Sequence, residues 1–266
     1  MEINKYLERI EVNSKIDVNL SSLRLIQKQH LLTVPFENLD IHLYNHLKVD
    51  LDSLYSKIVN QNRGGVCYEL NLLLYYLLKN IGFNVKVLGA KVMDQNGSFF
   101  DHMLLIVELY DKKYLVDVGY GDNFLEPLEF KEGIVQKDNK GLFKVVKIDD
   151  IHFELKKFSQ EINDYKIEYT FKNEEKEIDD FQNRIDYFIH SKESIFKKNL
   201  FCSLEKEDGR ISLKHDKFLL TQNGIKRTEK IISSNQYIKC LNERFNIKLD
   251  LVQQEKIKKC CEYKKA

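Results

Sequence analysis

Apolar residues recur at helical spacing over the first eighty or so positions, then switch to strand-like runs from Val85 onward. This pattern predicts an α+β chain with helices first. Leu20 to Leu32 carries Leu23, Leu25, Ile26 and Leu31 at helical intervals. Pro35 stops it, because proline disfavours helical geometry in the residue before it. Leu51 to Val59 reads as a short amphipathic segment. After Gly64-Gly65, Cys67 to Asn80 places Leu70, Leu72, Leu73, Leu74, Leu77 and Leu78 on nearly all sides of a helix. A helix apolar all round is buried at the centre of its domain, and Gly82 follows where glycine commonly terminates helices.

Val85 to Val92, His102 to Tyr110, Lys113 to Val118, Gly141 to Ile148, His152 to Lys157 and Tyr165 to Phe171 are short β-rich runs between polar or glycine turns. Regularly spaced strands of this kind predict a barrel or sandwich. Phe181 to Ser191 returns to helical spacing. A hairpin follows from Phe201 to Leu213 around Asp208-Gly209, then further strand signal and a helix over Gln236 to Phe245. With no internal repeat or low-complexity linker, the chain reads as one compact unit in three sections, 1–84, 85–192 and 193–266.

Composition narrows the class. The 266 residues are 43% hydrophobic and 31% charged, as in an ordinary globular protein, and the net charge of +1 supplies no field for nucleic acid or an acidic membrane. The lysines at 256–259 and 264–265 read as solvated helix faces. The N-terminus has no apolar signal core, and no run approaches the ~20 apolar residues of a membrane span. Five cysteines are scattered without CxxC spacing or nearby histidines, which argues against a metal site and for a reduced, cytoplasmic protein.

Reactive chemistry is cheapest to build at Cys67, just behind a double glycine at a helix start. Unpaired N–H groups there carry partial positive charge and favour a thiolate. The thiolate needs a base, and the base an orienter. Of seven histidines, His102 opens the apolar strand Met103-Leu104-Leu105-Ile106-Val107. Asp117 is a lone carboxylate inside Tyr114-Leu115-Val116-Asp117-Val118, costly unless paired. A tight turn at Asp111-Lys112 would pair Ile106 with Asp117 and set His102 opposite Gly121, so their contact requires a shifted, bulged or strongly twisted register. The residues alone therefore leave two readings open: a Cys67-His102-Asp117 triad, or a core cysteine, a capping histidine and a salt-bridged aspartate. Arg63 and Glu69 read as a buttress pairing with each other or with groups near the helix start, and Asn71 as a buried hydrogen-bonding residue. Gly119-Tyr120-Gly121 is a weak phosphate-loop signal and equally an ordinary glycine turn.

Five motifs in order resemble the arylamine N-acetyltransferases over nearly the full length. They are Tyr6-Leu7-Glu8-Arg9-Ile10, Val34-Pro35-Phe36-Glu37-Asn38-Leu39, Arg63-Gly64-Gly65-Val66-Cys67-Tyr68-Glu69-Leu70-Asn71, His102-Met103-Leu104-Leu105, and Leu115 through Gly121. The resemblance implies an N-terminal helical bundle, a central β-barrel and a C-terminal α/β lid around a papain-like cysteine-enzyme core. It further implies an acetyl-CoA-dependent transferase with Cys67, His102 and Asp117 as triad, in which histidine and aspartate do touch. Phe36 matches an acceptor-pocket aromatic, and Gly119 and Gly121 match glycines near the coenzyme cleft. Tyr68 and Phe100 are expected to help select a flat aromatic amine or hydrazine. Phe196, in Ser194-Ile195-Phe196 where relatives carry Ser-Pro-Phe, is expected as a coenzyme contact. Asp101 stands where relatives often carry threonine or serine, and is expected to add unfavourable charge beside the cleft. No metal is implied, and the expected assembly is a monomer or homodimer. The same three groups also serve thiol hydrolases and amide synthases, and a non-catalytic binding module is the remaining alternative.

Overall fold

A computed structural model describes residues 1–92, 97–121 and 123–262; the lysines expected to be solvated at 264–265 lie outside them. In chain order the strands are β1 (Phe36–Glu37), β2 (Asn84–Val92), β3 (His102–Leu109), β4 (Lys112–Val116), β5 (Leu128–Glu129), β6 (Gln136–Asp138), β7 (Gly141–Lys147), β8 (His152–Ser159), β9 (Asp164–Glu175), β10 (Phe201–Lys206), β11 (Gly209–Lys214), β12 (Lys217–Gln222) and β13 (Ile225–Lys230). The fold is α+β, and its contacts divide the chain into two interleaved units. No helix among the described residues is long and apolar enough to cross a membrane.

One unit comprises Glu2–His30 and Cys67–Arg184. Its antiparallel sheet runs β5-β4-β3-β2-β9-β8-β7-β6. The Gln136 amide nearly closes this sheet into a barrel: its Oε1 accepts from Glu129 N at 2.7 Å and its Nε2 donates to Glu129 O at 2.9 Å, joining the two edge strands. Leu88, Leu104, Ile106, Leu115, Phe143, Val145, Leu155, Tyr169 and Phe171 fill the interior. The intervening residues Met103, Leu105 and Val107 are buried as well, because the helix Cys67–Ile81 packs against β2 and β3. Apolar residues on both faces of β3 are thus the mark of a strand covered on two sides.

The β3–β4 register differs from the one expected for an Asp111-Lys112 turn. Leu109 pairs with Lys112, Ile106 with Leu115 and Leu105 with Val116, so the two turn residues are Tyr110 and Asp111. Tyr110 takes a φ of 58° and is 85% exposed. A bulky residue in the left-handed region is uncommon, which is why side-chain type misplaced this turn by one residue. The correction moves every pairing by two positions. Extending the ladder sets His102 opposite Gly119, so Asp117 becomes its diagonal neighbour on the same face, within side-chain reach.

The other unit comprises Leu31–Val66 and the chain from Ile185 onward. Its antiparallel sheet runs β1-β10-β11-β12-β13. Cys202, Leu213 and Phe218 stand in register on one face and join Tyr237, Leu241 and Phe245 of the helix Ser234–Phe245 in a core. The hairpin expected around Asp208-Gly209 turns instead at Glu207-Asp208, with Lys206 opposite Gly209.

Candidate active site

Cys67 is the first residue of its helix and is 3% exposed, where free N–H groups favour negative charge. The Cys67 side chain lies close enough to the His102 ring to help hold its proton. The ring's Nε2 lies 2.8 Å from Asp117 Oδ2, which leaves Nδ1 for the sulfur. All three residues belong to one unit, with His102 opening β3 and Asp117 following β4.

Asp117 is wholly buried and fully served by donors. Its Oδ1 accepts from Gly119 N at 2.9 Å and Asn71 Nδ2 at 3.0 Å. Its Oδ2 accepts from His102, from the Tyr169 hydroxyl at 3.2 Å and from Asn123 Nδ2 at 3.5 Å. Asn71 stands four residues after Cys67, one turn along the same helix face. Its amide also donates to Met103 O at 2.7 Å and accepts from Val118 N at 2.9 Å, tying the helix to the ends of two strands. The His102 ring packs against Tyr120 and Tyr169, with centroids 5.2 and 5.3 Å away, and those two rings are themselves 5.2 Å apart, so the three form one cluster. Burial alone would strip the His102 proton. The charge and hydrogen bond of Asp117, followed by those of Cys67, outweigh it and push the imidazole up to about 10.

Gly119 lies against the nucleophile candidate. A Cβ built there would stand 2.6 Å from Cys67 Cα, 2.7 Å from Asn71 Nδ2 and 2.8 Å from Cys67 Cβ. Its φ is not left-handed, so the requirement for glycine is close approach. Gly121 is exposed. Tyr68, expected to face an acceptor, is fully buried, and its hydroxyl donates to Phe100 O at 2.7 Å and Asp101 O at 3.2 Å. That placement makes it a support for the segment leading into His102. Phe100 is half-buried, 5.3 Å from the Phe181 ring. The negative charge expected from Asp101 is compensated: Arg184 Nε lies 2.5 Å from Asp101 Oδ1 in a contact that is Coulombic, since neither atom is in an aligned hydrogen bond.

The remaining predicted residues belong to the other unit. Phe36 and Phe196 are half-buried, with centroids 6.0 Å apart. Arg63 Nε and Nη2 lie 2.9 and 2.8 Å from Glu37 Oε1, and Nη2 lies 2.7 Å from Asp40 Oδ1. Burial opposes the Arg63 charge, but these two carboxylates raise its pKa overall. At Gly64 a Cβ would fall 1.8 Å from Pro35 O, so that position also needs glycine for a backbone crossing. Asn38 donates to Phe196 O at 2.9 Å and to Asn199 O at 2.6 Å, and accepts from Phe201 N at 2.8 Å.

Tyr169 and Asn123 escaped the sequence reading. Tyr169 had one signal: it alternates with Phe171 on the interior face of β9, and a buried tyrosine hydroxyl requires a polar partner. Asn123 had none.

A family model described as N-acetyltransferase matches residues 19–254. The chain is 32% identical over 276 residues to the arylamine N-acetyltransferase pineal gland isozyme NAT-3 of Gallus gallus, spanning 94% of this chain and 95% of that one. Among solved structures, the M. smegmatis arylamine N-acetyltransferase superposes with a TM-score of 0.88 at 28% identity, over 97% of this chain and 98% of that one. The Mycobacterium marinum arylamine N-acetyltransferase in complex with CoA gives 0.87 at 24% identity, over 98% of this chain and 100% of that one, a likeness of fold. The fold and these likenesses define an acyltransferase. The chain belongs to the arylamine N-acetyltransferase family.

Proposed function

We propose that the protein transfers an acetyl group from acetyl-CoA to an aromatic amine or hydrazine through an acetyl-cysteine on Cys67. The reading rests on one observation above all: the Cys67 side chain neighbours a histidine ring whose Nε2 is held by a buried, fully hydrogen-bonded carboxylate. His102, kept cationic by Asp117, holds the Cys67 sulfur as its anion. The sulfur attacks the thioester carbonyl, and the carbon–sulfur bond to CoA breaks as His102 protonates the departing thiolate. The arylamine nitrogen then attacks the acetyl-cysteine, His102 takes the amine proton, and the Cys67 thiolate leaves. The Cys67 N–H, free at the helix start, is the donor assigned to the tetrahedral oxyanion. CoA bound to the M. marinum relative supports acetyl-CoA as donor substrate.

Exchanging one thioester for another is nearly balanced in energy, so the catalytic burden falls on orientation and on thiolate supply. Asn71, Tyr169 and Gly119 act on the orientation through Asp117 and Cys67. Incubation with acetyl-CoA without acceptor is expected to leave an acetyl adduct on Cys67, detected by intact-protein and peptide mass spectrometry. Cys67→Ser is expected to give no thioester, and absence of the adduct in the parent protein sinks the two-step scheme.

A further inference from the structure

The residue after Cys67 grips the residue before His102: the Tyr68 hydroxyl lies 2.7 Å from Phe100 O and 3.2 Å from Asp101 O. Burial, then the charges of Cys67 and Asp101, keep that hydroxyl protonated, so it acts as a donor. The segment 97–101 is pinned elsewhere too. Asp101 N donates to Ser98 O at 2.9 Å and Phe100 N to Ser98 Oγ at 3.2 Å. Two glycines let it close onto β2 and onto itself, since a Cβ at Gly89 would overlap Phe99 O and one at Gly97 would overlap Asp101 Oδ2. The wholly buried Phe181 ring meets Tyr68 at 5.7 Å and Phe100 at 5.3 Å.

Arg184, three residues beyond Phe181, completes this arrangement through the Asp101 side chain, with 2.5 Å between Nε and Oδ1. The Asp101 side chain is 1% exposed and that of Arg184 15%, so the pair faces no open surface. Buried charges of this kind add little stability, because apolar side chains of similar volume hold such a site as well or better. What charge adds is direction, since a carboxylate shut away from water is bound to the place where its cation stands. The Asp101 carbonyl that Tyr68 grips belongs to the planar peptide joining Asp101 to His102. Its placement therefore sets how the His102 Cα leaves the loop, relative to the helix that carries Cys67.

We propose that Asp101 and Arg184 are positioning residues: their ion pair holds the Asp101–His102 peptide against Tyr68 and so sets the His102 ring where it keeps Cys67 ionised. The inference rests on the acyl-transfer reading for its effect on turnover, whereas its effect on the thiol is measurable without acetyl-CoA.

The variants are Asp101→Asn, uncharged with nearly the same shape, and Asp101→Leu combined with Arg184→Met, which removes both charges and strands neither. Alkylation of Cys67 by iodoacetamide is followed against pH in the full chain by peptide mass spectrometry, with thermal unfolding alongside. The double variant is expected to unfold at or above the parent Tm. Both variants are expected to alkylate on the order of tenfold more slowly near about pH 6, less than the roughly 10²-fold cost of a full ångström misplacement. Their rates are expected to converge on the parent's by about pH 10, where a thiol ionises unaided. Acetylation by acetyl-CoA is expected to slow by a similar factor at saturation with the half-saturating concentration unchanged, because a pair so buried touches no substrate.

The parent's alkylation profile in either folded variant overturns the proposal, as does a loss that persists undiminished at about pH 10, which marks general disruption of the site. A parent that alkylates at low pH yet forms no acetyl adduct removes the acyl-transfer scheme and leaves the positioning role standing. A parent that acetylates, with variants matching it in both rates, removes the positioning role alone.

Discussion

Replacing Gly119 by alanine tests whether close backbone approach seats Cys67, the proposed nucleophile. The added methyl carbon would stand 2.6 Å from Cys67 Cα and 2.8 Å from Cys67 Cβ. Ordinary carbon–carbon contacts are about 3.5–4.0 Å, so about 1 Å must be found against two atoms of the same residue. Neither atom is the end of a flexible side chain, and the third neighbour, Asn71 Nδ2 at 2.7 Å, is already committed to Asp117 and Met103. Relief therefore comes from moving Cys67 or the Val118–Gly119 backbone. Overpacking of this kind costs about 1–3 kcal/mol, which lowers Tm by roughly 2–4 °C per kcal/mol in a chain of this size. A displacement of about 1 Å at a reacting atom costs on the order of 10²-fold in rate. The assay is rapid-quench mass spectrometry of Cys67 acetylation by acetyl-CoA, with thermal unfolding alongside. Gly119→Ala acetylating at the parent rate with an unchanged Tm would refute the steric reading.

Arg63→Leu strands the buried Glu37 carboxylate and is expected to cost about 3–5 kcal/mol in denaturant unfolding, the range for breaking a buried pair; Glu37→Leu added to it is expected to restore much of the loss. For His102 the folded value of about 10 lies above the ordinary 6.5, so its contribution is fully present below about pH 6.5 and is lost as pH rises through about 10. Thermal melts across that window should show the parent losing its advantage over His102→Gln, and a constant difference from pH 6 to 10 contradicts the assignment.

The helix carrying Cys67 and the succession of strands after Val85 were legible because burial periodicity is local. The face of each site residue was legible too: His102 shares its parity with Leu104 and Ile106, and Asp117 with Leu115. Register was not, because a period of two fixes which face a residue takes and leaves its neighbour across the ladder free. A tyrosine in the left-handed region at Tyr110 decided that register, against side-chain type. Partners distant in sequence were equally hidden. Glu37 meets Arg63 across 26 positions, and Tyr169 meets Asp117 across 52.

Interleaving of the two units has a consequence for synthesis. The unit holding Cys67, His102 and Asp117 draws on Glu2–His30 and Cys67–Arg184, so its last residue is made when position 184 emerges. The segment Leu31–Val66 must wait longer, because β1 finds its hydrogen-bonding strand only in β10, after residue 200. Arg63 and Glu37 are made early and can already meet, whereas Asn38 waits for Phe196, Asn199 and Phe201. Vectorial production from the N-terminus thus completes the unit holding Cys67, His102 and Asp117 while a looped-out stretch of thirty-odd residues still lacks its sheet. Truncations ending near position 190 would retain Cys67, His102 and Asp117 and leave β1 without its β10 partner.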